Sequence, residues 1–134
     1  MGRKTRKKCR KKSRGSKGTK KSFNINIEKS TLKNKHYRKV LYTDKYQQLV
    51  LMSLNVGEYI HREKHNGSQF FRIESGTGVA EINDKRILLK DGVSLIVAPH
   101  TYHKIINTSK KHPLKLYSVY SPAQHAPNTI NERQ

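Results

Sequence analysis

Glu63 and His65 stand two residues apart, and an extended chain projects such a pair from one face, so a carboxylate and an imidazole can meet at one centre. Gln69 follows four residues after His65, across Asn66-Gly67-Ser68. A two-residue Asn66-Gly67 hairpin would turn Gln69 to the opposite face. A three-residue loop pairs it with His65 and adds an amide to the same side, with Gly67 as the left-handed loop residue. A second histidine-bearing stretch lies further on, Gly92-x5-Ala98-x-His100-x2-His103-x3-Asn107. Carboxylate, imidazole and amide donors in this density suit a divalent cation. The competing reading is a hydrogen-bonded polar network with no ion.

Other chemistries find little support. Cys9, the single cysteine, sits among lysines and arginines with no scaffold to activate it, and it cannot form an internal disulfide, which fits a reducing intracellular setting. No glycine loop precedes a helix to cradle phosphate. His61 shares strand parity with Glu63 and His65 and is expected to support that pair. Tyr59 and Tyr102 read as pocket lining or amphipathic packing. His36, His112 and His125 carry no argument from their spacing.

The elements that must position these groups are short. Apolar–polar alternation or brief apolar runs predict strands at 23–27, 38–42, 48–54, 59–65, 69–74, 78–82, 86–89, 94–97, 103–106 and 114–120. Turn residues separate them: Asn66-Gly67, Ser75-Gly76, Asn83-Asp84 and Asp91-Gly92. Residues 30–37 read as a polar loop and 123–134 as a surface wrap. Gln48 to Leu54 is nearly all apolar, as a strand covered on both faces would be. The pattern is all-β, a sandwich or closed barrel.

Charge divides the chain. The formal net charge is +20, and residues 1–21 hold 12 of the 29 Lys and Arg with no Asp or Glu. A leader this polar buries too little to offset its ordering entropy, so a disordered tail is expected over 1–22, ahead of a domain over 23–134. No apolar run reaches the ~20 residues of a membrane span, and no secretory apolar segment follows the charges. Such a tail suits nonspecific contact with nucleic acid through residues 1–21, nuclear routing, or a solubilising role at acidic surfaces. It has no aromatic residue for base stacking. Twenty Lys against nine Arg, with nine Asn, hint at an AT-rich genome, viral or otherwise low in GC. The expected location is cytoplasmic or nuclear.

The two stretches, Gly57-x5-Glu63-x-His65-x3-Gln69-x6-Gly76 and the one from Gly92 to Asn107, resemble both signature motifs of the cupin superfamily. From about Arg38 to Ile130 the chain is similar to small single-domain cupins, with Gln48 to Met52, Gln69-Phe70, Arg72-Ile73-Glu74, Gly76 and Gly78 in the pattern. The resemblance implies a double-stranded β-helix, or jelly-roll barrel, which commonly forms a homodimer. It also implies that His103 points inward beside Glu63, His65 and Gln69, the four holding a divalent metal such as Fe, Mn, Zn or Ni. Most metal-binding cupins use three histidines and one glutamate. Here Glu63 replaces a histidine and Gln69 the usual glutamate, so one carboxylate remains but is relocated. Ala98 stands where proline is common, with Pro99 one position later. His100 replaces the usual turn glycine, in a left-handed conformation that histidine tolerates better than most residues. The activity implied is metal-dependent chemistry on a small, sugar-like molecule, of isomerase or oxygenase type. The alternative is a noncatalytic binding or structural module.

Overall fold

Asn26 opens the ordered chain as a helix cap. Its side chain accepts from the Lys29 backbone N–H at 3.0 Å, and α1 (Ile27–Lys33) follows, with Glu28 in its first turn and Lys33 in its last, each suited to the helix dipole. This corrects the strand expected at 23–27 and the loop expected at 30–37. Capping and tertiary contact outweigh an alternation carried by three apolar residues. The computed structural model describes residues 21–134, so the tail expected over 1–22 lies almost wholly outside the described residues.

Ten strands follow: β1 (Arg38–Thr43), β2 (Gln48–Leu54), β3 (Tyr59–Glu63), β4 (Ser68–Ser75), β5 (Gly78–Ile82), β6 (Lys85–Leu89), β7 (Ser94–Val97), β8 (His103–Asn107), β9 (Leu114–Ser121) and β10 (Ile130–Asn131). They build two antiparallel sheets, one ordered β10-β1-β2-β9-β4-β7 and the other β3-β8-β5-β6. The fold is the double-stranded β-helix expected. The terminal segment does more than wrap the surface, because β10 pairs Ile130 and Asn131 with Lys39 and Arg38 of β1.

Alternate residues meet between the sheets. Val50, Met52 and Leu54 from β2, Phe71 and Ile73 from β4, and Leu114 and Leu116 from β9 pack against Ile60, Ala80, Leu89 and Ile105. Leu51 and Ser53, on the other face of β2, are also buried, with α1 lying over β2, β4 and β9. The prediction of a strand covered on both sides holds for that reason. Towards one end, the inward positions of β8, β4 and β9 become polar at His103, Gln69 and Ser118, all buried. A polar chamber thus continues the apolar core.

Candidate metal centre

On β8, residues 103, 105 and 107 are buried while 104 and 106 are not, so regular alternation points His103 inward. Glu63 reaches it through an irregularity. Ile60 pairs with Ile105 and Glu63 with His103, so β3 carries one residue more than β8 between these pairs. In an unbroken strand Glu63 would have opposite parity to Ile60. The bulge brings both inward, which is how bulges re-aim side chains beside functional sites.

His65 lies beyond the end of β3, in the segment leading to β4. The backbone N–H of His100 donates to the His65 carbonyl at 2.7 Å, and His100 takes φ 61°, the left-handed turn anticipated for it. Gly67 anchors the same segment from below. A Cβ there would lie 2.1 Å from the Ser121 carbonyl oxygen and 2.6 Å from Pro122 Cδ, so only glycine fits. Its role is close approach, since it is absent from the residues with positive φ.

The ligand atoms of Glu63, His65 and His103 lie within 4.8 Å of one another, a triad that could hold a metal ion. His65 Nε2 is 3.5 Å from Glu63 Oε2. The His65 and His103 rings stand 5.3 Å apart between centroids. His103 Nδ1 lies 3.0 Å from the Thr101 carbonyl oxygen, which can only accept, so Nδ1 carries the proton. Burial also lowers the pKa of His103, favouring the neutral ring. Nε2 is then left as a bare acceptor, the arrangement by which an outer hydrogen bond fixes a metal-binding imidazole.

Gln69 lines the same chamber from the opposite sheet. It shares a face of β4 with Phe71, whose ring contacts His103 at 6.1 Å, and pairs in register with Tyr120, whose ring meets His65 edge-on at 5.5 Å. Its Nε2 donates to Ser118 Oγ at 2.8 Å. Its Oε1 is buried with no hydrogen-bond partner, and so are His65 Nε2 and His103 Nε2. Buried polar atoms are almost always satisfied. Three buried polar atoms without a hydrogen bond at the same end of one barrel, beside a carboxylate, form a donor set that fits a divalent cation.

Tyr120 and Gln48 complete the wall. Tyr120 is buried among Glu63, Gln69 and His65, and burial, reinforced by the Glu63 charge, raises its phenol above the ordinary range. The phenol therefore stays protonated, and its oxygen is hydrogen-bonded with His125 Nε2 at 3.2 Å. Gln48, wholly buried, holds that histidine. Its Nε2 donates to the His125 carbonyl at 2.7 Å, and its Oε1 accepts the His125 backbone N–H at 3.0 Å.

Some expectations fail here. β3 and β4 do not form a hairpin, because they belong to different sheets, so no three-residue loop pairs His65 with Gln69. Those groups share the chamber because the two sheets face each other. The bulge separates the parity of His61 from that of Glu63; His61 is exposed and lies edge-on to Tyr59 at 5.1 Å. Tyr102 faces outward beneath the Arg62 guanidinium at 4.1 Å and the Lys64 ammonium at 4.8 Å, and does not line the chamber.

A family model described as the cupin domain matches residues 50–120. The uncharacterized protein L612 of Acanthamoeba polyphaga mimivirus is 43% identical over 114 residues, covering 82% of this chain and 71% of L612. The uncharacterized protein YrkC of Bacillus subtilis is 40% identical over 119 residues, covering 84% of this chain and 63% of YrkC. Among solved structures, BH2720 from Bacillus halodurans superposes with a TM-score of 0.81 at 34% identity, covering 90% of this chain and 92% of that one. Among the described residues, no helix is long and apolar enough to cross a membrane.

Proposed function

Because this chain belongs to the cupin family, whose domains often bind metal ions and small molecules, we propose that its chamber is a divalent-metal centre held by Glu63, His65, His103 and Gln69. The observation that carries this reading is the trio of buried polar atoms without a hydrogen bond, His65 Nε2, His103 Nε2 and Gln69 Oε1, with the Glu63 carboxylate 3.5 Å from the first. Two histidines and one carboxylate suit Fe, Mn, Zn or Ni. When bound, such an ion polarises a substrate oxygen or activates water or O2, in sugar-like isomerase or oxygenase-type chemistry.

The chain's own residues would orient and enclose the reactant. Thr101 fixes the His103 tautomer, and Phe71 walls off one side of that ring. The Tyr120 hydroxyl stays protonated and is tied to His125 Nε2. Glu63, with a third of its side chain exposed, marks the open side through which a small molecule would enter. The test is elemental analysis of untagged protein. Near-stoichiometric metal that is lost in His65→Ala and His103→Ala supports the proposal. An intact fold without metal favours a noncatalytic binding or structural module.

The domain division at residue 22 belongs to the same reading. It is supported by Phe23, whose ring packs 5.6 Å from Tyr42. Residues 1–21 would then give nonspecific contact with nucleic acid or another acidic surface. A salt titration of DNA binding with and without them decides this, and equal affinity after truncation excludes it. Exposed Leu88 on β6 and Ile96 on β7, each on the last strand of its sheet, support a homodimer. Light scattering of Leu88→Glu tests that. The likeness to a mimivirus protein supports a viral source, with residence in the cytoplasm or nucleus.

A further inference from the structure

Arg38 opens β1 with the same parity as Val40, a core residue, and opposite Met52, which is fully buried. Its guanidinium is therefore carried towards the interior, 5.3 Å over the Tyr37 ring. Nη1 donates to Asn131 Oδ1 at 2.7 Å. Nε is buried and has no partner. Among the described residues, no carboxylate forms an ion pair with Arg38. A cation so placed, with a desolvated donor unused, is costly unless something neutralises it.

Arg38 also lines a cleft of about 270 Å³, together with Tyr37, His61, Asn131, Arg133 and Gln134. The cleft lies where the β10-β1 edge of one sheet approaches the β3 edge of the other, and the Tyr37 hydroxyl bridges that gap by donating to the Tyr59 carbonyl at 2.9 Å. Through His61 the cleft reaches β3, the strand that carries Glu63 at its far end. Tyr37 and Tyr120 both feel the charges of Arg38 and Glu63. Arg133 is engaged by Glu58 at 3.4 Å and by backbone carbonyls, leaving Arg38 as the cation with an unused edge.

With Nη1 committed to Asn131, the remaining Nε–Nη2 edge of Arg38 offers two parallel donors, the geometry that grips an oxyanion in bidentate fashion. We propose that this cleft binds the oxyanion of a small acidic substrate, a carboxylate or a phosphate ester, and directs the rest of the molecule to the centre. The inference rests on the metal reading for the identity of that centre, but the anion site is testable without it.

The experiment compares wild type, Arg38→Gln and Arg38→Lys, each with its metal content measured, by calorimetric titration at fixed ionic strength. The probes are malonate, inorganic phosphate and neutral malonamide. Expected are binding of one anion and none of malonamide, affinity weakened at least tenfold in Arg38→Gln and nearly as much in Arg38→Lys, and unchanged metal content. Preference for malonate identifies a carboxylate, and preference for phosphate a phosphorylated ligand. Ligand-free Arg38→Gln should melt no lower than wild type, because a half-buried cation with no carboxylate partner has been removed. The proposal is overturned by anion affinity that survives Arg38→Gln, by malonamide binding as well as malonate, by no anion binding to wild type, or by a markedly lower melting point of Arg38→Gln. Should wild type hold no metal yet lose anion binding in Arg38→Gln, the centre fails and the anion site stands.

Discussion

Replacing both Gln69 and Ser118, as Gln69→Leu/Ser118→Ala, should shift stability by about 1.3 kcal/mol less favourably in metal than in chelator. The two side chains are buried and bonded to each other, while Gln69 Oε1 has no partner. In the metal-free protein, removing the orphaned acceptor relieves about 1–3 kcal/mol, and losing the bond to Ser118 gives back about 0.5–1.5. The double variant in chelator should thus be neutral to about 2 kcal/mol more stable. At free metal a hundredfold above Kd, the ion adds about 2.7 kcal/mol to the wild type. If Gln69 is a ligand whose loss weakens binding tenfold, that contribution falls by about 1.3 kcal/mol. Denaturant unfolding in chelator and in saturating metal reads both numbers, and their difference isolates the ligand role from packing. An identical effect in the two conditions would show that Gln69 does not touch the ion. A loss above about 2 kcal/mol in chelator would refute the claim that its amide is under-satisfied.

Gly67→Ala would drive a methyl group into the Ser121 carbonyl, so about 2 kcal/mol or more of stability should be lost, with metal affinity falling because the His65 segment shifts. Thermal melts with and without metal report both effects. Burial, with Arg38 and His65 adding to it, lowers the His125 pKa to about 4. The stability linked to its neutral form is complete above about pH 6.5 and is lost as pH falls towards 4. The loss should be on the order of 2 kcal/mol once partial exposure is allowed for. Unfolding midpoints at pH 7 and 4.5 should therefore differ less in His125→Gln than in wild type. His100→Gly relieves a left-handed φ without removing the N–H bonded to His65, so stability should stay within about 1 kcal/mol and metal content should not change.

Most strands were legible because each carries its own period. Residues 103, 105 and 107 of β8, and 114, 116, 118 and 120 of β9, alternate inward in the structure as the sequence pattern requires. What local pattern cannot encode is which strands pair. The segment from Glu63 to Gln69 reads equally well as a hairpin or as a crossing between sheets, and the crossing is what occurs. The extra residue in β3 is equally silent, since the bulge exists only relative to the register of β8. Arg38, Tyr120 and Ser118 escaped notice because an arginine, a tyrosine and a serine in strands are ordinary until burial and partners are known. The Asn26 cap before Glu28 was the one local signal for α1, and it outweighed the alternation from Phe23 to Ile27.

The relocated carboxylate has a consequence for charge. With Glu63 ionised and His65, His103 and Gln69 neutral, a divalent ion leaves the proposed centre at +1, the same as three histidines and one glutamate would. Moving the carboxylate from the Gln69 position to Glu63 takes it from a fully buried strand in the six-stranded sheet to the partly exposed end of β3, on the side where the cleft opens. Arg38 adds a second positive charge at that end, with no carboxylate paired to it among the described residues. With an ion bound as proposed, the chamber and Arg38 would together present about +2 to an incoming molecule through partly desolvated groups, where opposite charges attract far more strongly than in water. A neutral sugar leaves that charge uncompensated, whereas a sugar acid or sugar phosphate offsets it. Under the proposed reading, the expected preference among small hydroxylated molecules is for acidic ones, and a substrate screen that contrasts each acid with its neutral alcohol checks it directly.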